Sequence, residues 1–274
     1  MRVFRLAAAA VIATSTALVA HAQNAFEPVA GDVYRWQNDR HFGLVVVHET
    51  GVVVMDTINF DASTWLKENL SEITDKPITH LIYSHSHLDH ASGGRVLRAP
   101  TVIAHANAPD AIDGVAITER FDDTMTVDLG DKQIELTYLG PGHGTDLIAA
   151  VVRPENVGFI VDAAAPKRLP FRDFPGSDVD LWTEQVRNVD KLDFEIFAPG
   201  HGTLGVKADT ADVIEYLENL RALVLDGLNG GKDVDTLVAE LTLDEYKDWI
   251  AYDQWREPNI RGMARFLTEA GHVN

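Results

Sequence analysis

One short segment constrains the fold and chemistry of this chain more than any other. Residues 85–90 read HSHLDH, so four side chains that can bind a metal lie within six residues. They directly follow residues 80–84, HLIYS, which have the composition of a buried strand. Zinc and similar ions bind imidazole and carboxylate groups, and closely spaced ligands in a loop can reach one ion together. The segment therefore predicts a metal site at the end of a buried strand.

The rest of the chain alternates apolar, β-branched segments with helical patterns, which favours a layered α/β fold. Segments 43–48 and 51–56 predict a β-hairpin, and Ser63 is a candidate N-cap for a helix ending near Leu70. Further strands are predicted at 78–84, 102–105, 133–138, 147–152, 157–161 and 194–198, and helices at 178–189 and from 208 onwards. No linker or repeat marks a boundary, so we expect residues 23–274 to form a single domain.

The first 22 residues have the pattern of a secretory signal peptide. Arg2 and Arg5 precede the apolar segment 6–19, and Ala20 and Ala22 supply small residues at the cleavage positions. A membrane anchor is disfavoured because the apolar segment is shorter than the ~20 residues of a spanning helix. We expect cleavage before Gln23, no stable membrane insertion afterwards, and a periplasmic or secreted protein.

Charge and cysteine content exclude several classes of function. The chain carries 23 basic and 42 acidic residues, and loss of Arg2 and Arg5 takes its net charge from -19 to -21. Such a surface repels nucleic acid and anionic lipid. The absence of cysteine excludes disulfides, thiolate ligands and thiol nucleophiles.

Three more candidate ligands follow predicted strands. His143 and His201 each lie between two glycines, and Asp162 directly follows the segment 157–161. A single histidine is more often an ordinary hydrogen-bonded residue. Glycine, however, is needed mainly where backbone adopts a special conformation or approaches another group closely. Since strand ends in α/β sheets are where ligands gather, we expect seven donors in one cleft.

In this order, the motif His-x-His-x-Asp-His and the three later ligands resemble the metallo-β-lactamase fold superfamily of metallohydrolases, over about residues 31–202. The resemblance implies an α/β fold that is a four-layer αβ/βα sandwich of two mixed β-sheets flanked by helices, with a dinuclear site along one edge. It assigns a first ion to His85, His87 and His143, a second to Asp89, His90 and His201, and a carboxylate that bridges both ions to Asp162.

Departures from the family pattern indicate which branches of the superfamily the chain resembles. The β-lactamase subclasses with a cysteine ligand have it at the position of Asp162, and the subclass without cysteine generally lacks a bridging carboxylate there. The ligands therefore resemble the glyoxalase II and lactonase-like branches more closely. Residues 138–146 resemble the corresponding β-lactamase loop, which keeps β-lactam hydrolysis open.

The expected function is that of an exported, dinuclear metal-dependent hydrolase. A water that bridges two divalent ions loses its proton near neutral pH and would attack a cyclic amide, lactone, ester or thioester. Zinc is the default metal, and iron or manganese suits the same donors. Asp89 is the candidate catalytic residue, as a metal ligand that also orients the nucleophile. Alternatively, Asp89 does not bind the metal but hydrogen-bonds to a histidine ligand and fixes its tautomer.

A site with net positive charge favours a small-molecule substrate that is anionic. Lys167 and Arg168 are candidate substrate contacts, or alternatively a solvated surface pair. Phe171, Phe174 and Trp182 are candidates for an apolar wall, or alternatively for the core. Two other functions remain open, namely a sulfatase or phosphodiesterase of the same fold, and a periplasmic zinc-binding protein without turnover.

Overall fold

The computed structural model describes residues 24–273, so the predicted signal peptide at 1–22 lies outside the described residues. In chain order the strands and helices are β1 (Asn24–Ala30), β2 (Val33–Asn38), β3 (His41–His48), β4 (Gly51–Met55), α1 (Phe60–Asn69), β5 (Ile78–Ile82), α2 (Leu88–Ala91), β6 (Thr101–His105), β7 (Ala111–Ile112), β8 (Val115–Ala116), β9 (Glu119–Phe121), β10 (Thr124–Asp128), β11 (Gln133–Tyr138), β12 (Ile148–Arg153), β13 (Val157–Ile160), α3 (Val179–Asp190), β14 (Ile196–Pro199), β15 (Gly205–Val206), α4 (Asp209–Asn229), α5 (Val234–Glu240) and α6 (Tyr252–Glu269). None of the helices within 24–273 has the length and apolar character needed to cross a membrane.

Two mixed sheets form the centre of the fold. The first has the order β1-β2-β3-β4-β5-β6-β9 and is antiparallel up to β4 and parallel beyond it. The second has the order β10-β11-β12-β13-β14-β15, in which β13 and β14 form the one parallel pair. Strands β7 and β8 form a separate small hairpin.

Three apolar clusters hold four layers together. Leu44, Met55 and Ile82 of the first sheet pack against Ile134 and Phe159 of the second. The outer face of the first sheet packs against α1, and the outer face of the second packs against α3, α4 and α6. Helices therefore cover both outer faces of a pair of facing sheets, which confirms the predicted αβ/βα sandwich.

The first helix begins earlier than the sequence pattern indicates. Asn59, and not Ser63, is the N-cap of α1, because the Asn59 side chain accepts a hydrogen bond from Ala62 N at 2.9 Å. Ser63 lies inside the helix, fully buried, and its hydroxyl donates to Thr57 O at 2.9 Å. The prediction of Ser63 as the cap is therefore wrong.

Backbone hydrogen bonds join the two sheets along one edge. Ile148 N at the start of β12 donates to Ser84 O, just past β5, at 2.9 Å. Phe42 N on β3 donates to Gly200 O, just past β14, also at 2.9 Å. The loops that carry the predicted ligands are thereby held against each other at this edge.

Candidate metal centre

The HSHLDH segment begins three residues after the end of β5 and runs into α2. His87 is the N-cap residue of this one-turn helix, and His90 lies fully buried within it. The backbone carbonyl of His90 accepts hydrogen bonds from Thr57 N at 2.7 Å and Ile58 N at 2.8 Å. These bonds tie the segment to the loop after β4 and fix where its side chains lie.

The first group of donors consists of His85, His87, His143 and Asp162. One ligand atom from each lies within 4.8 Å of those of the others. His143 Nε2 is 3.2 Å from His87 Nδ1 and 3.2 Å from Asp162 Oδ2. These four side chains come from three separate loops, and the structure brings them to one point.

The second group consists of Asp89, His90, His201 and a residue that the sequence pattern missed, His41. Their ligand atoms also lie within 4.8 Å of one another. His90 Nε2 is 3.1 Å from His201 Nε2 and 3.9 Å from Asp89 Oδ2. His41 Nε2 is 3.4 Å from Asp89 Oδ2. His41 has no flanking glycine and precedes the HSHLDH segment by more than forty residues, so no local signal connects it with the site.

Asp162 lies between the two groups. Its Oδ2 is 3.2 Å from His143 Nε2 and 3.4 Å from His85 Nε2, and its Oδ1 is 3.0 Å from His201 Nε2. Its φ of 54° is in the left-handed region, which non-glycine residues seldom adopt. One carboxylate thus offers an oxygen to each group.

The pKa shifts of His90 and Asp162 suit metal binding. Burial lowers the pKa of His90 to about 3, which leaves a neutral imidazole at neutral pH. Burial alone would raise the pKa of Asp162, but the histidines around it, with hydrogen bonds from His143 and His201, outweigh burial and hold the pKa well below its usual range. His85 Nε2 is buried without a hydrogen-bond partner. Imidazole nitrogens and a carboxylate directed at a common point fit divalent ions that accept nitrogen and oxygen ligands.

Comparison with known proteins agrees with this geometry. The model of the metallo-beta-lactamase superfamily matches residues 39–201, the larger part of the chain. The chain belongs to the metallo-beta-lactamase superfamily. The predicted family is therefore confirmed. The superfamily consists largely of metal-dependent hydrolases, so the protein is hydrolase-like.

Individual relatives are distant. The chain is 28% identical to 2,4-dinitroanisole O-demethylase subunit alpha of Nocardioides sp. (strain JS1661), over 76% of this chain and 67% of that protein. It is 29% identical to the type 2 metallo-beta-lactamase of Bacteroides fragilis, over 60% of this chain and 69% of that enzyme. The solved metallo-beta-lactamase from Pontibacter korlensis superposes with a TM-score of 0.62 at 18% identity, covering 72% of this chain and all of that one. That likeness shows the fold alone.

Several ligands of this superfamily member are oriented by a second residue. The Ser84 hydroxyl donates to Asp56 Oδ2 at 2.8 Å and lies 2.9 Å from His85 Nδ1. His85 Nδ1 therefore donates to Ser84, which leaves Nε2 free as a metal donor. In the same way His201 Nδ1 donates to Arg40 O at 2.9 Å, so Nε2 is the ring nitrogen available as a metal donor.

Asp56 is the second residue of the site that the sequence pattern missed. It is fully buried, and Ser84 N donates to its Oδ1 at 2.8 Å. Burial raises the pKa of Asp56 to about 7 in spite of this bond. The only signal in the sequence is a carboxylate that directly follows the apolar residues of β4.

The loop that carries His143 is held by α3. His143 N donates to Gln185 Oε1 at 2.6 Å, and Gln185 Nε2 donates to Gly140 O at 2.6 Å. A Cβ at position 142 would lie 2.5 Å from Gln185 Oε1, so the close approach of loop and helix requires Gly142. The Trp182 ring contacts the His143 ring edge-on at 4.8 Å.

A cavity of about 960 Å³ opens over both groups. Phe171, Trp249, Tyr252 and Trp255 line its apolar side, and Trp182 lies near His143. Phe174 is buried in the core of the fold, which is the alternative left open for it. Trp249, Tyr252 and Trp255 lie beyond residue 202, where the family resemblance ends.

The two adjacent cationic residues differ in their placement. Lys167 is exposed and does not line the cavity. Arg168 lines it, with its guanidinium carbon 4.6 Å from the centre of the Trp255 ring. Within residues 24–273 no ion pair joins the Arg168 guanidinium to a carboxylate. Burial lowers the pKa of Arg168 to about 10, so the side chain stays charged at neutral pH.

Proposed function

We propose that this chain is an exported, dinuclear metal-dependent hydrolase whose substrates are small molecules that combine an apolar part with an anionic group. The observation that carries the proposal is the position of Asp162, with one oxygen near each of two histidine-rich groups. A single ion would need only one of these groups. A carboxylate between two sets of donors is the arrangement expected for a pair of ions.

The chain's own residues account for the positioning steps of the reaction. Two divalent ions, with zinc as the default, would supply a nucleophile at neutral pH and polarise the substrate carbonyl, whose carbon the nucleophile attacks. His85, His87 and His143 would hold one ion, Asp89, His90 and His201 the other, and Asp162 both. Asp89 is 57% exposed, so its second oxygen is accessible and could orient the nucleophile by accepting its proton in a hydrogen bond.

The cavity supports an amphipathic substrate. Its aromatic side would bury an apolar portion of the substrate. Arg168 lies on the same wall as Trp255 and carries a charge that no carboxylate of the described residues neutralises by a direct ion pair. A carboxylate on the substrate would supply the missing partner through paired hydrogen bonds.

A panel of substrates on residues 23–274 tests the proposal. It contains a chromogenic β-lactam, a lactone, a thioester and a 4-nitrophenyl ester, each assayed with and without a chelator. We expect hydrolysis of at least one of them, abolished by the chelator and restored by added zinc. Absence of turnover across the panel in protein that holds two ions per chain would instead support a zinc-binding protein without catalysis.

A second candidate function is hydrolysis of a sulfate ester. It is favoured by Arg168, because an unpaired guanidinium binds sulfate as well as it binds carboxylate. An aryl sulfate and a phosphodiester therefore belong in the panel, and 2,4-dinitroanisole is added because of the relative from Nocardioides. Preference for the aryl sulfate over every carboxylic ester by kcat/KM would select this second function.

Export is a separate part of the proposal and has its own test. Expression of the full chain in a bacterium followed by fractionation is expected to yield protein that begins at Gln23 in the periplasm or the medium. N-terminal sequencing that finds residues 1–22 still attached would contradict the proposed cleavage.

A further inference from the structure

We infer that His41 is a protein ligand of the second metal ion, in addition to Asp89, His90 and His201. The inference rests on the proposed dinuclear site and deepens it. It gives the second ion a donor from the first residue of β3, outside the HSHLDH segment and the glycine-flanked loops.

The distances around His41 agree with ligands that share one ion. His41 Nε2 lies 3.4 Å from Asp89 Oδ2, which is long for a hydrogen bond between a ring nitrogen and a carboxylate. Neighbouring ligands at 2.0–2.1 Å from one zinc ion are separated by about 2.9 Å in an octahedral arrangement and about 3.4 Å in a tetrahedral one. His90 Nε2 and His201 Nε2 are 3.1 Å apart. The spacing at His41 therefore matches two ligands on one ion.

The backbone around His41 holds the side chain at this point. Phe42 N donates to Gly200 O at 2.9 Å, and Arg40 O accepts from His201 Nδ1 at 2.9 Å. His41 is thus flanked on both sides by bonds to the loop that carries His201. The two imidazole rings are 4.6 Å apart, with the edge of one directed at the other. These bonds fix the backbone on both sides of His41, which lowers the entropic cost of placing its side chain when an ion binds.

The additional ligand makes the two sites unequal. With Asp162 shared, the first ion would have three imidazoles and one carboxylate oxygen. The second would have three imidazoles and two carboxylate oxygens, from Asp89 and Asp162. A site with more protein ligands in fixed positions binds its ion more tightly, so we expect the second site to retain its ion when a chelator removes the first.

Replacement of His41 by glutamine tests the inference without an activity assay. Co²⁺ is titrated into metal-free wild-type protein, H41Q and a matched control, H272Q, which removes a histidine at the far end of the chain. In H41Q we expect affinity for one of the two ions to fall more than 100-fold, with a changed visible spectrum of the bound Co²⁺. H272Q is expected to match the wild type in both respects, and circular dichroism checks that each variant is folded.

The results can distinguish failure of the role inferred for His41 from failure of the proposed dinuclear site. Wild-type protein that binds fewer than two ions would contradict the proposed dinuclear site itself. Wild-type protein with two ions, together with a smaller loss in H41Q or an unchanged spectrum, would overturn only the role of His41. A loss of about 10–100-fold is what removal of a residue that merely orients Asp89 would cause. A crystal structure of the zinc-loaded wild type should place His41 Nε2 about 2.0–2.1 Å from the second ion, and a nitrogen outside bonding distance would overturn the inference.

Discussion

Substitution of Arg168 by methionine should change which substrates the protein prefers. Methionine keeps an unbranched side chain against Trp255 but removes the charge from the cavity. Since the guanidinium has no carboxylate partner among residues 24–273, an anionic substrate group would form a new charged hydrogen bond with it. Such a bond contributes about 1.5–3 kcal/mol, which corresponds to a factor of about 10–150 in affinity.

Two matched esters isolate this effect. The 4-nitrophenyl ester of butyric acid is neutral, and the 4-nitrophenyl monoester of succinic acid is similar in size but ends in a carboxylate. At neutral pH we expect R168M to lower the ratio of kcat/KM for the anionic to the neutral ester about 10- to 150-fold. For the anionic ester, kcat/KM should fall because KM rises while kcat stays the same, since the bond is made in the bound substrate and in the transition state alike.

The neighbouring residue supplies the matched control. Lys167 is adjacent in sequence, carries the same charge and lies outside the cavity lining, so K167M changes the total charge equally. We expect K167M to leave the ratio within about twofold of the wild type, because exposed charges interact weakly in water. An equal change in both variants, or no change in R168M, would refute the role given to Arg168.

Three further predictions concern the metal site. His87→Ala should lower the bound metal content and reduce the hydrolytic rate by orders of magnitude; full metal occupancy with a normal rate would refute the first group. Asp162→Ala should abolish the two-metal state, and metal analysis that still finds two ions per chain would count against bridging. In metal-free protein, burial favours the protonated form of Asp56, so its contribution to stability is present at about pH 4 and is lost as the pH rises through about 7. Relative to Asp56→Asn, the wild type should therefore lose about 4 kcal/mol of unfolding free energy between pH 4 and 8, and parallel denaturation profiles would contradict this.

The sequence predicts the interior of this fold better than its edges. The alternating segment 133–138 coincides with β11, and the helix predicted over 178–189 is Val179–Asp190. Both have one face against a core, which produces a clear period in the sequence. Strands β1 and β2 at one end of the first sheet were not predicted, because β1 is only partly buried and its composition is mixed. Strands β7 and β8 are two residues each, too short for any period.

The donors differ in how visible they are in the sequence. Those in the HSHLDH segment stand close together, and His143 and His201 are marked by their glycines. His41 and Asp56 reach the site only through the pairing of β3 and β4 with their neighbours, and neither position carries a local motif. The sequence also could not choose between Lys167 and Arg168, because adjacent residues in a loop point in directions that only the fold determines.

The metal content of wild-type protein tests the central claim most directly. After saturation with zinc and removal of the excess, elemental analysis of residues 23–274 should find two ions per chain. A stoichiometry of one, in protein that is folded and saturated, would contradict a centre in which Asp162 joins two groups of ligands.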